Sequence, residues 1–108
     1  MPNELFPRRR SALRPGELYV LRLYVAGSTP QSSRAITNLK AICETHLRGR
    51  YELTVVDLYQ HQERAQEDQI LVIPTLVRQS PSPVRRILGD LSHTDRVLAA
   101  LGLAGQSP

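Results

Sequence analysis

The chain is short of the residues on which small-domain chemistry most often rests. Its 108 residues hold a single Cys. One Cys cannot form an internal disulfide, which fits a reducing, cytoplasmic setting. No apolar run is long enough to span a bilayer, so no membrane role is expected. No apolar h-region follows the charges at the N-terminus, as a signal peptide would require. Gly27 stands alone, so no glycine-rich loop cradles a phosphate. His46, His61 and His93 lack a second ligand at metal spacing, and surface histidines are expected. Ser28, Ser32 and Ser33 have no neighbouring His or Asp to activate them, and helix capping accounts for them better. Asp57 and Asp90 end strands, where turn duty explains them. No constellation supports an enzyme or a cofactor.

Charge of one sign is concentrated rather than spread. The formal net charge is +4. Residues 1–15 carry Arg8, Arg9, Arg10 and Arg14 against Glu4, which is +3 and leaves +1 for the remainder. The body is therefore not strongly basic, and a nucleic-acid function loses its compositional support. The Arg-rich segment, broken by Pro2, Pro7 and Pro15, reads as a solvated disordered tail. Residues 16–104 form one domain with a single core, and residues 105–108 read as a frayed end.

What is present is a clear succession of elements. Leu18 to Val25 is apolar on both parities apart from Arg22, which predicts a central strand buried on both faces. Thr29 suits an N-cap and Pro30 the first helical position. Ile36, Leu39, Ile42, Cys43 and Leu47 recur at helical spacing, with Arg48 in the last turn and Gly49 as the C-cap. Cys43 lies on the apolar stripe and reads as a core thiol. Tyr51 to Asp57 alternates and predicts an edge strand, joined to the first by a right-handed parallel connection. Gln60 to Gln69 is polar and predicts a short exposed helix. Pro74 interrupts an apolar run and opens a strand over Thr75 to Gln79. Pro81 and Pro83 mark a turn, and Val84 to Leu88 returns as a hairpin. All three are X–Pro bonds, the only kind that reaches cis at modest cost. Ser92 and Asp95 have capping-box spacing. Val97, Leu98, Leu101 and Leu103 continue as a helical stripe that Gly102 and Gly105 stop.

The order strand, helix, strand, helix, strand, strand, helix is an α/β arrangement of the thioredoxin-like kind, with a four-stranded mixed sheet. In that fold a reactive pair opens the first helix. Here those positions read Ser28-Thr29-Pro30-Gln31. Disulfide exchange needs an attacking thiolate, so a redox role is disfavoured. The work falls to the surface, through binding.

Several stretches together are similar to one family. They are Tyr19-Val20-Leu21-Arg22-Leu23-Tyr24-Val25-Ala26-Gly27-Ser28-Thr29-Pro30, Glu67-Asp68 ahead of Ile70-Leu71, Pro74-Thr75-Leu76, and Pro83-Val84-Arg85-Arg86-Ile87-Leu88-Gly89-Asp90-Leu91-Ser92. They resemble the KaiB family of cyanobacterial clock proteins and their relatives, from about Leu18 to Leu103. The resemblance implies a non-enzymatic partner of a hexameric KaiC-like ATPase, docking on its N-terminal ring, helping to recruit a KaiA-like protein and ending phosphorylation. It also implies two folds: a thioredoxin-like monomer that binds the ATPase, and a self-associated tetramer. In the tetramer the segment after Pro74 is largely helical and the C-terminal segment is a strand. A similar domain occurs as the sensor of a clock-linked histidine kinase. A thioredoxin-like redox or adaptor protein is the alternative function.

Arg22, Arg34 and Arg85 resemble positions linked to complex formation and are expected to form one basic surface. Tyr51, Leu53 and Thr54 lie on an edge strand that faces partners in the family. Thr54 and Gln69 replace usual lysines, Ser82 replaces the middle of a Pro triplet, and the acidic C-terminal tail of clock members is missing. These departures suit a divergent paralogue with its own ATPase. Pro74, Pro81 and Pro83 belong to the segment that differs between the two folds. Ala100 replaces a usual Gly, and Gly costs roughly 1 kcal/mol in a helix. Gly102 and Gly105 replace side chains that would support a strand. These differences favour the thioredoxin-like state and a mostly monomeric or weakly dimeric protein over a tetramer.

Overall fold

The structure, a computed structural model, describes residues 18–103. The expected disordered tail, and Gly105 as a helix stop, lie outside the described residues. Four strands and three helices follow in the expected order: β1 (Tyr19–Val25), α1 (Pro30–His46), β2 (Tyr51–Asp57), α2 (Gln62–Glu67), β3 (Thr75–Ser80), β4 (Arg85–Leu88) and α3 (Thr94–Leu101). The sheet order is β2-β1-β3-β4. β2 runs parallel to β1, and β3 and β4 are antiparallel to their neighbours. This is the thioredoxin-like arrangement, not the alternative fold of the tetramer.

Alternation along β1 divides the molecule into two layers. Tyr19, Leu21, Leu23 and Val25 face α1 and α3 and form the main core with Ala35, Leu39, Ile42, Cys43, Leu76, Val97 and Leu101. Tyr24 faces the other way and packs with Val56, Leu58, Ile70 and Val77 under the short α2. That second face is therefore only half covered. Ala65, the single apolar residue of α2, supplies its partly buried contact there.

Local chemistry sets the boundaries. The Thr29 hydroxyl accepts from the Ser32 N–H at 3.3 Å, and Pro30 opens α1. The helix ends earlier than Gly49 suggests. Leu47 is the C-cap, its N–H donating to the Cys43 carbonyl, because its side chain is drawn fully into the core. Gly49, at φ +77°, serves the turn that follows. α3 also starts without the expected box. His93 is the N-cap and makes no side-chain cap. The Ser92 N–H and hydroxyl both turn back to the Asp90 carboxylate, so they are unavailable to the helix. β4 begins at Arg85 rather than Val84. The bonds preceding Pro74, Pro81 and Pro83 are cis.

Gly102 closes α3 in the left-handed conformation, at φ +81°. A Cβ there would sit 3.3 Å from Arg78 Nη1. Gly102→Ala is expected to lower stability by about 1 kcal/mol through the left-handed penalty alone. A urea titration would read this as a lower midpoint with an unchanged m-value.

Candidate partner-binding site

The open face is organised by one carboxylate. Asp68, the C-cap of α2, accepts a hydrogen bond from the Tyr24 hydroxyl at 2.5 Å. Arg64 Nε lies 3.5 Å and Arg22 Nη1 3.9 Å from its Oδ2. The Tyr24 hydrogen bond, with Arg64 and Arg22 beside it, holds the Asp68 carboxyl below the ordinary value. Burial first, then the Asp68 bond, pushes the Tyr24 phenol upward. Arg22 thus resolves the conflict of a charge in an apolar central strand by pairing at the sheet surface.

A second arginine fastens the same corner from β4. Arg86 donates to the Asp68 and Gln69 carbonyls at 2.6 and 2.7 Å. Register places Thr54, Arg22, Val77 and Arg86 in one row across the sheet. Val77, Gln79, Val84 and Arg86 line a groove of about 270 Å³ beside Tyr24, Asp68 and Gln69.

The six partner-binding candidates divide between two faces. Arg22 and Thr54 share the open face. Tyr51 and Leu53 have the parity of Tyr19 and Leu21 and pack against the main core. Arg34 lies on α1, where its Nε donates to Asp90 Oδ2 at 3.0 Å, with Asn38 bonding the Asp90 carbonyl. Arg85 has the parity of Ile87 and sits on the helix side of β4. The expected single basic surface of Arg22, Arg34 and Arg85 is therefore not assembled, because strand parity and a helix place them on opposite sides of the sheet. Arg22 and Arg34 are paired to carboxylates, while Arg85 is exposed. Tyr51 donates to Glu44 Oε2 at 2.7 Å, and that bond, with some burial, pushes its phenol up to about 12.

The positions expected to matter for the fold are also clear. Pro74 is fully buried just before β3, Pro81 and Pro83 shape the hairpin turn, and Ala100 lies in the last turn of α3.

Two residues were given no role from the sequence. One is Asp68. The other is Arg78, which is 5% exposed and meets no carboxylate among the described residues. It donates to the Leu101 carbonyl at 3.0 Å and the Pro83 carbonyl at 2.7 Å, and its Nε is without a partner. Tyr19 donates to the same Leu101 carbonyl at 3.1 Å. A cation at a helix C-terminus is favoured by the macrodipole and the free carbonyls. Arg78 therefore ties the end of α3 to the hairpin. Its signal was available, as the one charged residue of the strand Thr75–Ser80.

The start of α1 offers no thiol chemistry. Ser32 Oγ accepts from the Ala26 N–H at 3.0 Å, and Thr29 caps the helix. Asp57 accepts from the Gly27 and Tyr59 N–H groups, the turn duty expected of it. Cys43 is fully buried, and burial pushes its thiol up to about 12. Among the described residues no group of three or more His, Cys, Asp or Glu could hold a metal ion. No helix among them is long and apolar enough to cross a membrane.

The profile of the KaiB domain matches residues 22–103. The chain belongs to the KaiB family. It is 52% identical over 89 residues to the circadian clock oscillator protein KaiB of Parasynechococcus marenigrum (strain WH8102), covering 82% of this chain and 86% of that protein. Against the Synechococcus elongatus KaiB it is 49% identical, covering 82% and 87%. Solved structures show the fold. Chloroplastic thioredoxin z superposes with a TM-score of 0.68 at 15% identity, covering 94% of this chain and 88% of that one. The N-terminal domain of Synechococcus elongatus SasA gives 0.66 at 18% identity, covering 89% and 94%. The KaiB match spans Arg22, Arg34, Asp68, Arg78, Arg85 and Arg86, so both faces described above lie within the family's domain.

Asp68 makes a pH-dependent contribution of known sign. Its native pKa lies below 3.8, so its stabilisation is complete above that value and is lost as pH falls through the lowered native one. Asp68→Asn is expected to cost about 1 kcal/mol at pH 7, the scale of a charge-assisted bond at a half-exposed site. In urea titrations the gap to the wild type should hold from pH 7 down to 3.8 and narrow only below it.

Proposed function

We propose that this KaiB-family chain is a non-enzymatic regulator that docks on a KaiC-type ATPase ring and modulates its phosphorylation state. The observation that carries this is identity of about half over 89 residues with circadian clock oscillator proteins. The thioredoxin-like arrangement supports it further, since the family resemblance couples that state to ATPase binding. A KaiA-like protein is the proposed second partner, met through the edge strand β2, where Thr54 and Val55 are exposed. The proposed resting state is a monomer or weak dimer in the cytoplasm, where a lone core thiol needs no oxidising environment.

The division of the arginines sharpens the role of each. Arg85 is exposed and makes no hydrogen bond or ion pair among the described residues, so Arg85→Ala should weaken ATPase binding and leave stability unchanged. Arg22→Ala should lower both, because it removes a partner of Asp68. Immobilised chain incubated with a KaiC-like ATPase, at several temperatures and salt concentrations, measures the first quantity, and urea titration measures the second. Charge pairs at such contacts act mainly on association rate, so retention should fall as salt rises. Failure to retain the ATPase at every temperature would overturn the reading.

The likeness to thioredoxins raises a redox alternative, and the buried high-pKa thiol opposes it. No insulin reduction above buffer background is expected from the wild type, and Cys43→Ser should keep fold and ATPase binding. Turnover that disappears in Cys43→Ser would establish the alternative instead.

A further inference from the structure

The free edge of β4 is built to receive another strand. β4 pairs with β3 on one side only and ends the sheet. Gly89 N–H donates to the Pro74 carbonyl at 2.9 Å, which sets the phase of the ladder. Residues bonded directly across an antiparallel pair alternate with unbonded ones. With the register Leu76↔Ile87 and Arg78↔Arg85, Ile87 and Arg85 exchange bonds with β3. The N–H and C=O groups of Arg86 and Leu88 therefore point outward. Among the described residues they form an unpaired ladder of two donors and two acceptors.

The side chains beside that ladder are apolar or basic. Val84 and Leu88 are each 60% exposed on the open face, and Leu71 in the preceding loop is 94% exposed. Leu88 lies opposite Thr75, whose hydroxyl bonds the Val72 carbonyl, so the exposed segment Leu71–Ile73 adjoins this edge. Arg86 separates Val84 from Leu88, and among the described residues its guanidinium bonds only carbonyls. Arg85 points to the other face, with no ion pair or hydrogen bond among the described residues. The edge thus pairs apolar surface with two arginines that form no ion pair among the described residues.

We propose that β4 accepts an extended segment of a partner protein, added antiparallel, with acidic side chains opposite Arg85 and Arg86 and apolar ones opposite Val84 and Leu88. Main-chain bonds to Arg86 and Leu88 hold the segment, and the alternating side chains select it. A second copy of this chain is a poor occupant, because self-pairing gathers four arginines on one short ladder, and like charges facing each other destabilise a sheet. The Arg-rich residues 1–15 are disfavoured by the same repulsion. This surface is separate from β2 and shares only Arg85 with the proposed ATPase contacts.

The test uses the full chain and a fluorescein-labelled heptapeptide, Thr-Val-Thr-Glu-Glu-Val-Thr, read by anisotropy and by amide chemical shifts. Saturable binding is expected, with the largest shifts at the Arg86 and Leu88 amides. The same peptide with Lys for both Glu should bind about tenfold more weakly, the combined effect of two cross-strand charge pairs. Arg85→Glu, at an exposed side chain, should weaken the Glu peptide about fivefold and favour the Lys peptide. Leu88→Pro removes an outward N–H without a ladder bond and should abolish binding, with far-ultraviolet circular dichroism checking the fold. Equal binding of the two peptides, shifts centred on Tyr51–Asp57, absence of saturable binding, or a dimer in sedimentation that Leu88→Pro abolishes would each overturn the proposal. Because no ATPase is present, its failure is distinguishable from failure of the docking function.

Discussion

The structure depends on burying β1 on both of its faces. Leu21 and Leu23 are sealed beneath α1, and Tyr24 is sealed on the other side. Each such side chain contributes about 1.5–3 kcal/mol from transfer out of water. A strand buried this way must sit between two others, and β1 pairs β2 and β3 at once. The parallel crossover through α1 and the antiparallel return of β3 are the consequences of that position.

The same constraint creates its own exception. Arg22 interrupts the strand, and a charge there is tolerated only if it is paired or wet. Asp68 supplies the pair, and Tyr24 and Arg64 meet on the same carboxylate. Arg86 then clamps the backbone that carries it. A six-residue helix with one apolar side chain could not hold itself on a sheet. Polar contacts, rather than hydrophobic burial, seat α2, and they leave the rest of that face open.

The two sheet edges are unlike each other. β2 is seven residues long and is fastened at Tyr51 to Glu44 of α1. β4 is four residues long, and two of the four are arginines. Charge on an edge keeps identical chains apart, while the outward backbone groups of Arg86 and Leu88 remain available to a partner of opposite charge. Behind β4, Arg78 holds the end of α3 through the Leu101 carbonyl. The hairpin and the C-terminal helix are thereby mechanically one unit.

Periodicity by itself determined the order of elements, because the two-residue and 3.6-residue repeats are local properties of the chain. It placed β1 at the centre from its double-sided apolarity, β2 at an edge from its alternation, and Cys43 in the core from its place on the helical stripe. Motif resemblance supplied the family. Cap positions were less legible: Gly49 and Ser92 looked like caps, but burial of Leu47 and the pull of Asp90 on Ser92 shifted the ends. Which charges meet was decided only in three dimensions. Arg22 and Asp68 lie 46 positions apart in the chain, and no local pattern connects them. Arg22, Arg34 and Arg85 looked equivalent as basic residues. Strand parity and helix placement send them to opposite faces, because a side chain's direction follows from the sheet and helix it belongs to, and its partner from how those elements pack.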